Sequence, residues 1–103
     1  MARIELAPAV SGDLERILDH LTQHEVDDVA ARVDEIIHAI AVLEQNPLIG
    51  RFVRAETREL VIGRRSRGHV ALYRYVVEID TVFVLAVRNQ REAGYTKEQS
   101  GSR

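Results

Sequence analysis

The sequence predicts an α+β fold in which a helical hairpin packs on a small, mostly antiparallel sheet. Three observations carry this expectation. Two amphipathic helical stripes stand close together in the first half of the chain. Short runs of strand formers fill the second half. The link between the last two runs, Glu78-Ile79-Asp80-Thr81, is short enough only for an antiparallel hairpin. The expected order is β-α-α-β-β-β, as one domain over residues 1–95 with a loose tail over 96–103.

Arg3-Ile4-Glu5-Leu6 alternates and reads as a short strand that Pro8 stops. Proline is tolerated in the first turn of a helix. Leu14, Ile17, Leu18 and Leu21 then recur at helical spacing, which sets a first helix from about Pro8 to Gln23. A polar segment from His24 to Asp28 makes the turn, with Asp27 or Asp28 as N-cap of the next helix. Val29, Val33, Ile36, Ile37, Ile40 and Leu43 form the second stripe, and Asn46-Pro47 ends it. Leu60-Val61-Ile62, Val70–Val77 and Val82–Val87 read as strands, the last buried or central in its sheet. Aliphatic or alanine residues ring much of the second helix, more than one sheet face covers. Apolar surface is therefore expected to remain exposed on the hairpin or the sheet edge, where a segment of another polypeptide or a second copy would bury it.

Composition narrows the function classes. The 103 residues have 46% hydrophobic content and a net charge of −2, so the chain is not a polycation that coats nucleic acid. With no cysteine, disulfides, thiolate metal sites and a cysteine nucleophile are excluded, which suits a reducing cytoplasm. No apolar run approaches the roughly 20 residues that span a bilayer, and Glu5 interrupts any signal-like apolar start. Charge is divided unevenly. Residues 1–50 carry three basic against ten acidic residues, a net of −7, and residues 51–103 carry eleven against six, a net of +5.

Thirteen of the fourteen cations are arginine, whose planar fork of donors suits carboxylates and phosphates. Arg51, Arg54, Arg58, Arg64, Arg65 and Arg67 lie within 17 residues, opposed only by Glu56 and Glu59. This cluster reads as a surface for an acidic segment, a target protein or nucleic acid. The competing reading is a solvated turn, or pairing with the chain's own acidic helices. Arg74 alternates with Tyr73 and Tyr75, so it leaves the sheet on the opposite face from theirs and must reach a carboxylate or solvent. His20 and His24 stand four apart near the end of the first helix with Glu25 next, a spacing able to hold a metal but without a third ligand in a fixed place. His38 reads as a helix-flank residue, and no phosphate-loop pattern is present.

Asp13–Ile17, Asn46–Arg51, Arg58–Gly63, Val70–Tyr75 and the closing Val87–Tyr95 together resemble, in order and spacing, the RelE/ParE toxins of bacterial type II toxin–antitoxin systems, with the ParE side the nearer likeness. The resemblance covers about residues 3–95. It implies a small poison neutralised by a cognate antitoxin. ParE-like members bind DNA gyrase, and RelE-like members cut messenger RNA on the ribosome. One fold thus hosts a binding inhibitor and a nuclease. For the inhibitor, the binding candidates are Arg51, Arg54, Arg58, Arg64, Arg65, Arg67 and Arg88. For the nuclease, metal-free cleavage needs a base, an acid and a cation for the phosphorane. Arg91 and Tyr95 resemble the nucleases' C-terminal pair, with Arg74, His69 and Glu59 as helpers. The nucleases' arginine following Gly-Tyr has no counterpart, since Gly68-His69 is followed by Val70, and the only lysine is Lys97. The resemblance therefore favours a plasmid-stabilisation type of toxin that acts by binding a protein and arrests growth. It implies no cofactor or metal and no membrane, with nucleic acid engaged only indirectly.

Overall fold

The computed structural model describes residues 1–24, 27–63 and 68–90. Its order is β1 (Arg3–Leu6), α1 (Pro8–Gln23), α2 (Val29–Val42), β2 (Arg51–Arg54), β3 (Thr57–Ile62), β4 (His69–Val76), a 3-10 turn (Val77–Ile79) and β5 (Thr81–Asn89). The strands form one sheet in the order β1-β5-β4-β3-β2. All neighbours are antiparallel except β1 and β5, which run parallel. The expected fold class and both helices are therefore present. The tail expected from residue 96 lies outside the described residues.

One strand escapes the sequence reading. Arg51–Arg54 pairs with β3 and makes five strands of the expected four. Two of its four residues are arginine, and all four are exposed, so it lacks the apolar signature of a strand. Its turn also lacks the usual Asn-Gly or Asp-Gly signal. Ala55 takes the positive φ of 49° at that turn, a conformation that alanine enters only at a cost in energy.

The helices cover one face of the sheet. α1 packs along β5, and α2 reaches β3. Val10, Ile17, Leu21, Ile36, Ile40 and Leu43 meet Ile62, Ala71, Tyr73, Val82, Val84 and Val87 in a single core. The three β5 valines are not in simple alternation. Leu72 pairs with Ala86 and Tyr73 with Val84, so Leu85 is an extra residue on β5. This bulge reverses the parity of the strand, which lets Val82, Val84 and Val87 all join the core while Leu85 is partly exposed.

Two carboxylates join helices to their surroundings. Asp28 caps α2, its Oδ1 accepting from the Ala31 amide at 3.2 Å. Asp13 is buried on α1, and its Oδ2 accepts a 2.9 Å hydrogen bond from the Val87 amide. The need for this bond follows from the length of β1. The last β1 rung runs from the Ala7 amide to the Val84 carbonyl, and Pro8 then turns the chain into α1. Beyond Val84 no strand of the described residues lies beside the outer edge of β5, so a helix carboxylate supplies the acceptor there.

Candidate functional site

The exposed corner of the sheet is built by the segment that leaves α2 and enters β2. Its backbone is pinned from inside. Tyr73 lies fully buried on β4, and its hydroxyl accepts from the Gly50 amide and donates to the Pro47 carbonyl, both at 2.8 Å. Arg58 stands opposite Tyr73 in register and donates through Nη1 to the Leu48 and Gly50 carbonyls at 3.1 and 2.7 Å. Its guanidinium carbon also sits 4.0 Å from the centre of the Phe52 ring, in cation–π contact. Gly50 admits this approach because a Cβ there would fall 2.7 Å from the Tyr73 ring and hydroxyl, and 2.9 Å from the Glu59 carbonyl.

The pinned loop cannot fold its apolar side chains inward. Leu48 and Ile49 before β2, and Phe52 and Val53 on it, are left 60%, 56%, 61% and 47% exposed, and among the described residues no strand pairs with the outer edge of β2. Natural sheets guard such edges with charge. Here Arg51 and Arg54 stand among the apolar residues. Arg51 is bound to the buried Glu59 directly across the β2–β3 pair, with Nη2 at 2.7 Å and Nε at 3.2 Å from the same carboxylate oxygen. Glu59 is thus committed to an ion pair, which removes it from the free carboxylates a proton transfer could use. The rim combines a sticky backbone edge, apolar side chains and positive charge.

The remaining candidates scatter. Arg58, expected on a binding surface, serves as the latch of the loop. Arg74 leaves the face opposite Tyr73 and pairs with Glu56 at 2.7 Å, both largely exposed, so the pair is screened by solvent. Arg88 is exposed on β5, whereas His69 is buried at the start of β4. His69 and Arg74 are five residues apart on one strand, which puts them on opposite faces and about 17 Å apart at roughly 3.4 Å per residue. Arg64, Arg65, Arg67, Arg91 and Tyr95 lie outside the described residues. Sequence reasoning placed leftover apolar surface on the hairpin or the sheet edge but did not name Leu48, Ile49, Phe52 and Val53. The signal was two apolar pairs after Pro47, Leu48-Ile49 and Phe52-Val53, split by Gly50-Arg51 and fitting neither a helical nor an alternating period. A second apolar strip lies between the helices, where Leu14, Leu18, Ala30 and Val33 line a groove flanked by Glu15 and Asp34.

Burial pushes the Tyr73 hydroxyl pKa above its usual value, while the Gly50 amide and the Arg58 charge oppose that rise. Tyr75 is raised as well, first by its hydrogen bond to Asp80. A raised tyrosine pKa means that the folded state holds its proton longer than the unfolded chain does. The stability from both groups is full below about pH 10 and is lost as pH climbs through their folded values. Ultraviolet titration should show Tyr73 ionising late, together with alkaline unfolding. Tyr73→Phe should lower stability by about 1–3 kcal/mol, because the Gly50 amide and the Pro47 carbonyl lose their partner.

Comparison with known proteins fits this architecture. A family model described as the ParE toxin of the type II toxin–antitoxin system, parDE, matches residues 4–94. No curated protein sequence matches. Among solved structures, the chromosomal ParDE system of P. aeruginosa is similar with a TM-score of 0.70 at 20% identity, over 86% of this chain and 96% of that one. A chain of the intact E. coli RelBE toxin–antitoxin complex gives 0.60 at 12% identity, over 86% and 96%. A mutant of E. coli RelE in the free state gives 0.61 at 15% identity, over 100% and 98%. At these identities the structural likeness speaks for the fold, and the family match over residues 4–94 carries the assignment. The chain belongs to the ParE toxin family of type II toxin–antitoxin systems.

Proposed function

We propose that this toxin acts by binding and inhibiting a protein target, DNA gyrase by family resemblance, and that a cognate antitoxin neutralises it by covering the β2 rim. The observation that carries the reading is the exposed edge strand Arg51–Arg54, with Leu48, Ile49, Phe52 and Val53 beside it. An extended segment can add to such an edge through main-chain hydrogen bonds, and alternate side chains can settle on the apolar residues. Arg54 favours acidic groups on that segment, while Arg51 is held by Glu59. Burial of the apolar residues at roughly 25 cal/mol per Å² supplies the driving force. The antitoxin is expected to be the product of a short reading frame beside this gene.

The separation of Arg74 from His69 supports protein binding over ribosome-dependent RNA cleavage, since those two helpers do not converge on one phosphate. Induction of the gene should arrest growth, and purified protein should inhibit gyrase supercoiling. Full supercoiling at excess protein would count against the gyrase reading. If arrest instead came with cleaved translated messages and ended on combined Arg91→Ala and Tyr95→Phe substitution, the nuclease reading would replace it.

A further inference from the structure

We propose that His20 and His24 form a two-imidazole site for a divalent transition-metal ion at the C-terminal end of α1. The two side chains stand one helical turn apart and are exposed, with ring centres 4.3 Å apart. Two imidazoles sharing one ion, each at about 2.1 Å, place their ring centres about 5 Å apart, near the 4.3 Å of this pair.

One ring is already oriented by the backbone. His24 Nδ1 lies 2.9 Å from the His20 carbonyl oxygen, which can only accept, so Nδ1 donates there and Nε2 is the nitrogen left to meet an ion. A ring N–H held by a backbone carbonyl is the usual outer support of a metal-bound histidine. The His20 carbonyl also accepts the His24 amide at 3.1 Å, so the segment that carries both rings is fixed. The last turn of a helix is the negative end of its dipole and favours a cation. Imidazole donors select zinc, nickel and copper over magnesium or calcium. Among the described residues no group of three or more His, Cys, Asp or Glu gathers around a metal position. Among the described residues His20 and His24 supply two nitrogens to the ion, and water can take other positions, which makes it exchangeable. Bound there, it ties the last turn of α1 immediately before the turn into α2.

The test is titration of the tag-free, full-length chain with Cu²⁺ and with Zn²⁺ by calorimetry. One ion should bind per chain, Cu²⁺ more tightly than Zn²⁺, and EDTA should remove it. His20→Asn and His24→Asn should each weaken binding by roughly tenfold or more, while His38→Asn, whose ring has no histidine one turn away, should leave it unchanged. In the unsubstituted protein, Cu²⁺ should broaden amide resonances around residues 20–24 first, a readout that needs no variant. Binding of equal strength in the His20→Asn/His24→Asn double variant, or broadening centred elsewhere, would overturn the proposal.

Discussion

Gly50→Ala should be among the most damaging single methyl additions this chain can receive. The new Cβ would stand 2.7 Å from the Tyr73 ring and hydroxyl and 2.9 Å from the Glu59 carbonyl. Neither neighbour yields cheaply. Tyr73 is fully buried and hydrogen-bonded at its tip to Gly50 and Pro47, and Glu59 is a backbone group within the β3 ladder. Overpacking of this kind costs about 3 kcal/mol, which for a domain of this size lowers Tm by roughly 12–20 °C. The urea midpoint should fall with little change in slope. Gly12→Ala is the matched control. A Cβ at Gly12 meets nothing within 4 Å inside α1, so the same methyl group should stabilise by about 0.5–1 kcal/mol through helix propensity. If Gly50→Ala melted with the wild type, the latch would not be the rigid element described.

Asp13→Ala should come next, at about 2–3 kcal/mol, because it leaves the Val87 amide buried without an acceptor. Its ion pair with Arg16 at 3.1 Å adds little, since Arg16 is half exposed. Asp13→Asn separates the two contributions. The amide oxygen can still accept from Val87, so that variant should recover most of the loss. Equal destabilisation by both substitutions, measured by thermal and urea unfolding, would show that charge and not the Val87 acceptor matters.

These two positions mark where the sequence was legible and where it was not. The boundaries of α1 were readable from Pro8 and the Leu14-Ile17-Leu18-Leu21 stripe, because periodicity and proline act locally. The cap at Asp28 was readable for the same reason. Asp13 carried no such signal. Its partner is 74 residues away in β5, and its acceptor role exists only because β1 stops at Leu6. The bulge at Leu85 hid the core face of β5, since Val82, Val84 and Val87 fit neither alternation nor a uniform run. At the candidate site, the sequence named the arginines but not their occupations. Arg58 turns inward to the loop carbonyls and Arg51 to Glu59 because register sets cross-strand partners, and register was not readable for a strand as polar as β2.

The most direct test of the central claim, that the β2 rim is a docking edge, is amide hydrogen exchange of the chain alone and bound to its cognate antitoxin. The outward-facing amides of Arg51–Arg54 should exchange quickly in the free protein and slow by about 100-fold or more in the complex, with burial at Leu48, Ile49, Phe52 and Val53. Unchanged exchange along β2, with protection confined to the groove lined by Leu14, Leu18, Ala30 and Val33, would contradict the account.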